Sequence, residues 1–331
     1  MAKPYARRFP DNVVRLLIFV LLFGVFIVVN PTVISIANIA SLLNNGVFVG
    51  IYALAMLMLL VMGILDLAIT SYGIFAAYLT LTFCMKYWMS VSCWTMLVIS
   101  AVIGALCAMV TGLVIYKFRL PGILVSIGMA NIYYMALFLE GYGSGNVPGH
   151  LIPQDMFRLV DTNIFTAKMG RMTIRLNITV VIVLVMVVLV WFFMNKTTTG
   201  RNVFAIGGNY DAANRMGINI LKTYLVVFAF AGALSGIGMM QAYMKQQASI
   251  TPLILKGQHG DALAAVIFGG TQLGNGKGGS VLGTMLGVLI ITLTRTNLVL
   301  LGVPSYAQTL VIGCLLLGSV VLAAYRNYNR E

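Results

Sequence analysis

The sequence predicts an all-α protein, a polytopic membrane helical bundle, and three observations lead to this class. Hydrophobic residues make up 60% of the 331 residues, and charged residues make up only 9%, compared with about 25% in ordinary soluble domains. The mean hydropathy is +0.97 over the whole chain, which is too high for a single anchor attached to a polar domain. We therefore expect one transmembrane domain over residues 1–331, and not a disordered chain or a water-soluble enzyme.

Charged residues mark the ends of the apolar segments, because a span needs about 20 mainly apolar residues and a charge at its centre is costly. The uncharged segments predict about ten transmembrane helices, some of them short or broken. The predicted spans cover residues 13–29, 47–62, 72–85, 94–116, 123–139, 178–194, 224–244, 261–273, 280–294 and 306–324. The segment 261–273 is short and is bounded by glycines.

The connection between the first two spans is predicted from its polar residues. No charge lies between Arg15 and Asp66, which leaves room for two spans joined by residues 30–45. Pro31, Asn44 and Asn45 are typical turn residues in this stretch. A polar loop of this length is therefore expected before the second span.

The distribution of Lys and Arg predicts that both termini are cytoplasmic. Short cytoplasmic loops are enriched in these residues, and ten spans place both termini on the same side. Thirteen of the 21 Lys and Arg residues fall on that side: Lys3, Arg7, Arg8, Arg15, Lys117, Arg119, Lys196, Arg201, Arg215, Lys222, Lys277, Arg326 and Arg330. Two longer outer loops, residues 141–177 and 245–260, hold most of the others.

The net charge of +13 is explained by the membrane and not by nucleic acid. The basic residues are scattered at the ends of spans, whereas a nucleic-acid site needs a basic patch on one face. Basic residues at span ends orient a membrane protein and contact anionic lipid. Membrane lipid is therefore an expected partner, and nucleic acid is not.

Catalytic and cofactor motifs are largely excluded by the sequence. His150 and His259 are the two histidines, and there is no HExxH or GxSxG sequence. Gly276 and Lys277 resemble part of a phosphate-binding loop, but the first glycine and the hydroxyl residue of GxxxxGK[ST] are absent. The sequence therefore predicts a chain that is not an enzyme and that holds no metal or organic cofactor.

Asp66 is an isolated acid at a predicted membrane boundary. Such a residue acts either as a proton or ion relay or as a fixed anchor that caps the next helix and accepts backbone N–H groups. Thr70 and Ser71 follow it, as expected at a helix start, and the chain offers few other buried acids for a relay. We favour the anchor.

Asp261 begins a second segment of interest, an apolar helix of small residues that ends at Gly269, Gly270 and Thr271. Small residues allow helices to approach closely, and a short helix interrupted by glycine can line a cavity. The sequence leaves open whether this segment lines a pathway or is a tightly packed structural helix.

The loop over residues 196–223 is the most distinctive polar stretch, and we expect it in the cytoplasm. Asn209 is predicted to cap a short helix over residues 211–216, and Gly217 to end it in the left-handed conformation. The loop is either a surface linker or, through Ala212 and Ala213, a docking element for the groove of a partner.

At these positions the chain resembles the inner-membrane permease subunits of bacterial ABC importers for ribose, xylose, galactose and similar sugars, which are related more distantly to branched-chain amino acid permeases. The most specific shared positions are Gly200, Arg201, Ala205, Ile206, Gly207, Gly208, Asn209, Ala212, Ala213, Gly217, Ile218, Asp261, Gly269, Gly270 and Thr271. The early family motif Gly-Gly-Ile-Asp-Leu-Ser-Val-Gly-Ser is only partly present, with Gly63, Asp66, Leu67 and Ser71 in place.

The resemblance implies a permease that works with other proteins in the bacterial inner membrane. It implies two permease subunits, cytoplasmic ABC ATPase subunits that dock on the loop 196–223, and a periplasmic substrate-binding protein that delivers a sugar. The altered motif around Asp66 suggests a heterodimer with a different permease chain, while a homodimer stays open. Two alternatives also remain, a permease for branched-chain amino acids or another small polar solute, and an ion-coupled secondary transporter.

Overall fold

The computed structural model describes residues 11–139, 146–169, 172–246, 249–253, 255–272 and 278–328. Parts of both predicted outer loops and Gly276 of the rejected phosphate loop lie outside these ranges. So do five of the basic residues that predict the orientation: Lys3, Arg7, Arg8, Lys277 and Arg330.

The described residues form thirteen α-helices and two small sheets. The helices are α1 (Asp11–Val29), α2 (Ile36–Val61), α3 (Ile69–Tyr87), α4 (Cys93–Phe118), α5 (Gly122–Ala136), α6 (Arg158–Asp161), α7 (Thr179–Lys196), α8 (Thr198–Gly208), α9 (Tyr210–Arg215), α10 (Ile220–Met244), α11 (His259–Phe268), α12 (Val281–Leu300) and α13 (Ser305–Tyr328). The predicted all-α membrane class is confirmed.

Six helical segments of the described chain are long and apolar enough to cross a membrane. They are α2, α4, α5 with its continuation to Leu139, α7, α10 and α12. Helix α11 has 10 residues, a rise of about 15 Å, which is half of a hydrocarbon core of about 30 Å. The predicted number of about ten spans is therefore not confirmed.

The start of α2 corrects the predicted loop over residues 30–45. Ser35 caps the helix by accepting a hydrogen bond from the Asn38 amide at 3.2 Å, so that Asn44 and Asn45 lie inside α2 and not in a turn. Asn44 is accommodated because its side chain donates to the Arg175 carbonyl at 2.8 Å and accepts from the Asn177 amide at 3.1 Å. Hydrogen bonds to β3 therefore hold Asn44 within a helix, where the local sequence predicts a turn.

The C-terminal half of α2 is the centre of the bundle. Every residue from 51 to 62 is buried, and α2 packs against α10, α12, α11 and α7. A helix that is apolar on all sides is stable only when neighbours surround it. Gly63, at φ +84°, ends the helix, and the Ile64 amide bonds back to the Leu59 carbonyl at 2.9 Å, as in a Schellman cap.

Helices α4 and α10 cross closely through small residues. A Cβ atom at Gly104 would lie 2.4 Å from the Gly232 carbonyl oxygen, and one at Gly236 would lie 2.2 Å from the Ser100 carbonyl oxygen. The Ser100 hydroxyl donates to the Gly236 carbonyl at 2.9 Å. Van der Waals contact and hydrogen bonds, rather than hydrophobic burial, hold helices together in lipid.

Two antiparallel two-stranded sheets lie outside the long helices. Strand β1 (Val147–Pro148) pairs with β4 (Ser249–Ile250). Strands β2 (Asn163–Met169) and β3 (Met172–Asn177) form a hairpin in which Thr166 faces Arg175. Because β3 also packs against α2, the hairpin lies at the end of the bundle where α2 begins.

Candidate coupling site

The predicted loop over residues 196–223 contains two helices, α8 and α9, which we call the coupling segment. Thr197 begins α8 by accepting a hydrogen bond from the Gly200 amide at 3.0 Å, a cap that the sequence analysis missed. Asn209 caps α9 by accepting from the Ala212 amide at 2.9 Å, and Gly217 follows it at φ +78°. The predicted cap and left-handed termination of the second helix are confirmed.

The predicted residues of the coupling segment divide into buried and exposed groups. Gly200 and Ala213 are buried, and a Cβ atom at Gly200 would lie 2.3 Å from the Met194 carbonyl oxygen. The exposed group consists of Arg201, Gly208, Asn209, Ala212 and Gly217. Of the predicted alanine pair, only Ala212 therefore lies on the surface.

Gly207 brings the coupling segment into direct contact with the end of α2. A Cβ atom at this position would lie 1.8 Å from the Val61 carbonyl oxygen, so only glycine allows the two backbones to approach this closely. Val61 is the last residue of the most buried helix. The backbone of α8 therefore touches the end of the central helix with no side chain between them.

The glycine-rich stretch that follows α11 approaches α12 and the end of α2. Gly270, at φ +84°, terminates α11, and the Thr271 amide bonds back to the Val266 carbonyl at 3.2 Å. A Cβ atom at Gly269 would lie 2.7 Å from the Thr284 backbone nitrogen, and one at Gly279 would lie 2.3 Å from the Val61 side chain. The end of α2 is thus close to α8 through Gly207 and to the residues just before α12 through Gly279.

Asp66 lies after α2 and binds the start of α3. It is fully buried, and its carboxylate accepts hydrogen bonds from the Ala68 amide at 2.7 Å and from the Tyr72 hydroxyl at 3.0 Å. The Ser71 hydroxyl donates to the Ala68 carbonyl at 2.7 Å. A buried carboxylate with two donors in fixed positions has the geometry expected of an anchor. The predicted helix cap is wrong, because the N-cap of α3 is Ala68 and no side chain caps this helix.

Replacing Tyr72 by phenylalanine removes one of the two donors to this buried carboxylate. We expect Tyr72→Phe to destabilise the folded protein by about 1–3 kcal/mol, because a buried acceptor is left without its partner. The measurement is the free energy of unfolding in a detergent–SDS titration.

Tyr116→Phe is the matched control for this variant. The Tyr116 ring packs edge-to-face on Tyr224 with centroids 5.9 Å apart, and phenylalanine keeps that packing. We expect a much smaller change than for Tyr72→Phe. Equal effects of the two substitutions would contradict the anchoring role of the Asp66 carboxylate.

Asp261 takes a different partner. It lies in the first turn of α11, and its carboxylate is 2.7 Å from a guanidinium nitrogen of Arg295 on α12. The side chain of Asp261 is 9% exposed and that of Arg295 is 31% exposed. Asp66 and Asp261 therefore have separate partners, a backbone amide and a tyrosine hydroxyl for the first and a guanidinium group for the second.

Arg295 and Gly207 are the positions whose roles sequence reasoning missed. Arg295 marks the end of the predicted span 280–294, whereas α12 continues past it to Leu300. A signal was present, because a charge within a membrane helix requires a partner. No comparable local signal distinguishes Gly207 from Gly208, since only the tertiary contact with Val61 does so.

Comparisons with known proteins agree with a permease. The chain is 29% identical over 322 residues to the probable ABC transporter permease protein YphD of Escherichia coli K12, covering 96% of this chain and 91% of that protein. It is 26% identical over 312 residues to the ribose import permease protein RbsC of the same organism, covering 93% and 92%. No solved structure matches the chain.

A third relative covers a shorter region at higher identity. The xylose transport system permease protein XylH of Haemophilus influenzae is 38% identical over 141 residues, which are 43% of this chain and 37% of that protein. The family model described as "Branched-chain amino acid transport system / permease component" matches residues 38–320, which contain the coupling segment and both aspartates. The chain therefore belongs to this family of transport-system permease components.

Proposed function

We propose that the chain is one transmembrane permease domain of an ATP-driven ABC importer and translocates a monosaccharide. Family membership over residues 38–320 supports a permease, and the printed names of the ribose and xylose relatives support a sugar. The observation that carries the proposal is the direct contact of the coupling segment with α2. Through this contact, movement of a docked ATPase subunit would reach the transmembrane helices.

The coupling segment is the proposed docking site of a cytoplasmic ATPase subunit. Its outer surface presents Arg201, Asp211 and Arg215, together with Met216, which is 69% exposed. A mixed charged and apolar surface on a short helix suits a groove in a partner. ATP hydrolysis would occur in that partner, and this chain would not be an enzyme.

The end of the bundle that carries the coupling segment is proposed to face the cytoplasm. The C-terminal end of α4 lies beside the start of α10 there, because the two helices are antiparallel and Tyr116 contacts Tyr224. The C-terminal end of α7 leads directly into the coupling segment. Basic residues are concentrated at this end: Lys117, Arg119, Lys196, Arg201, Arg215 and Lys222. This distribution supports insertion into the bacterial inner membrane with both termini cytoplasmic.

The remaining partners follow from the same proposal. The opposite end of the bundle, with the β2–β3 hairpin, would receive a periplasmic substrate-binding protein. A second permease subunit, identical or different, would complete the pathway, and lipid would cover the exposed apolar faces of α4 and α7. Purification of the intact complex and the mass of its permease subunits would distinguish a homodimer from a heterodimer.

Branched-chain amino acids are a second candidate substrate class, which the description of the matching family favours. The permease does not decide between the two classes if the binding protein selects the solute. Uptake of labelled leucine and of labelled ribose or xylose by the same reconstituted complex would discriminate them. Uptake of leucine without uptake of either sugar would favour the amino acid alternative.

We expect uptake into reconstituted vesicles to depend on ATP and on a separate binding protein. The complex would be purified with its ATPase, reconstituted, and supplied with the binding protein and with labelled ribose, xylose or galactose. Vesicles without ATP, or without the binding protein, are the controls. Uptake by this chain alone, driven by a proton gradient, would refute the proposal in favour of a secondary transporter.

A further inference from the structure

Helix α5 leaves one of its faces uncovered. The helix packs against α3 and α4, and its other side is open. The exposed residues that share this side, which we call the α5 face, are Leu124, Gly128, Asn131 and Met135. They are spaced by four, three and four residues, which is the spacing of the seam between two helices that pack along each other.

Asn131 is a polar residue in the middle of a membrane span. Helix α5 with its continuation to Leu139 is an apolar segment of 18 residues, and Asn131 lies nine residues after Gly122 and eight before Leu139. It is exposed, and its amide group makes no hydrogen bond within the described residues. A polar group is costly in lipid unless it has a partner, so the α5 face needs a neighbour that can form hydrogen bonds.

The exposed faces of α4 and α7 have a different composition. Every exposed residue from Trp94 to Leu113 on α4 is apolar, and so is every exposed residue from Val181 to Phe192 on α7. Lipid is sufficient as a neighbour for these two helices. The α5 face, in contrast, has a glycine and an asparagine at its centre.

Gly128 leaves room for a second helix. No atom lies within 4 Å of a Cβ atom at this position, whereas one at Gly104 would clash with Gly232 where α4 crosses α10. Contacts within the chain therefore do not require glycine at position 128, although glycine in a helix costs about 1 kcal/mol relative to alanine. In lipid, small residues are typical of places where a neighbouring helix approaches closely.

A second copy of the chain offers Asn131 a matching partner. An amide group both donates and accepts hydrogen bonds, so it can pair with an identical amide. Two copies inserted in the same orientation are related by a two-fold axis along the membrane normal, and residues near such an axis meet their own counterparts. The two α5 helices would then run parallel, with both Asn131 side chains at the same depth.

We propose that the α5 face is the contact between two identical copies of this chain, in which the two Asn131 side chains hydrogen-bond to each other and Gly128 allows the helices to approach. This inference rests on the proposed function, which calls for a second permease subunit, and adds the identity of that subunit and the surface that it binds. It favours a homodimer over the heterodimer suggested by the altered motif around Asp66.

The first test is cross-linking in membranes that contain the complete transporter. In a chain whose native cysteines are replaced, and which is produced with two different tags, Asn131→Cys should form a disulfide between two chains on mild oxidation, because the Cα atoms of a disulfide lie within about 7 Å. Val188→Cys is the matched control, since Val188 is also exposed and lies in the middle of α7. The control should stay uncross-linked, and the Asn131→Cys product should carry both tags.

The second test changes the shape of the α5 face. Gly128→Leu should leave the single chain folded, because the new side chain meets no atom of the chain near its Cβ, but it should shift the mass of the purified permease from two copies to one. Val110→Leu, on the exposed face of α4, should keep two copies. The masses are measured by light scattering in detergent.

The outcomes separate this inference from the proposed function. Sugar uptake by the wild type would overturn this inference alone if Asn131→Cys stays uncross-linked, joins a different permease chain or cross-links no more than Val188→Cys. A mass of two copies for Gly128→Leu would overturn it as well. A cross-link between two tagged copies of a chain whose wild type transports none of the sugars would overturn the proposed function and leave the contact in place.

Discussion

Replacement of Gly207 by alanine is expected to reduce ATP-driven uptake by about tenfold or more, since overpacking at a tight contact costs about 1–3 kcal/mol. The new Cβ atom would lie 1.8 Å from the Val61 carbonyl oxygen, so α8 must move away from α2. ATP hydrolysis by the docked partner should continue and be poorly coupled to transport. The measurement is the ratio of sugar transported to ATP hydrolysed in reconstituted vesicles.

Gly208→Ala is the control for this prediction. Gly208 is the next residue of the same helix, and nothing lies within 4 Å of a Cβ atom there. Alanine also has a higher helix propensity than glycine, so the control should fold and transport as well as the wild type. If Gly207→Ala transports like Gly208→Ala, the contact with Val61 does not carry the coupling.

Breaking the Asp261–Arg295 pair is expected to cause the largest loss of stability. Arg295→Gln leaves the buried Asp261 carboxylate without its cation, and removal of one partner of a buried pair costs about 3–5 kcal/mol. The double variant Asp261→Asn with Arg295→Gln should recover part of that loss, because no uncompensated charge remains. The free energy of unfolding in a detergent–SDS titration measures both effects.

The chain also contains an exposed ion pair that serves as the control. Arg158 and Asp155 are 3.1 Å apart, with side chains that are 78% and 40% exposed. Arg158→Gln should change the free energy of unfolding by less than about 1 kcal/mol, because solvent screens exposed pairs. If Arg295→Gln lowers the free energy of unfolding no more than Arg158→Gln does, the buried pair contributes no more to stability than the exposed pair.

Sequence patterns predicted the positions of apolar helices well where neighbouring residues determine where a helix begins and ends. The predicted spans 94–116 and 224–244 differ by only a few residues from α4 and α10. Helix ends depend on local caps, and the Asn209 cap and Gly217 could therefore be predicted. The backbone bond to Asp66, from the amide of Ala68, agrees with the anchor that its sequence context favours.

The prediction failed where a distant partner outweighs a local preference. Asn44 has a turn-forming side chain, yet it continues α2 because the β2–β3 hairpin supplies its hydrogen bonds. Residues 198–208 have a glycine-rich composition, yet they form α8 because Val203 and Ile206 are buried against the bundle. Arg295 remains within α12 because Asp261 balances its charge.

Residue patterns alone were enough to predict a helical membrane protein with a capped polar segment between two spans, and the resemblance to sugar importer subunits added the permease assignment. Hydropathy, charge spacing and helix caps depend on residues that are close together in the chain, so these patterns can be read from the sequence without the structure. The contact of Gly207 with Val61 and the pairing of Asp261 with Arg295 became visible only in the folded molecule. These contacts join residues far apart in the chain, and their energies depend on distance and burial, which no local pattern specifies.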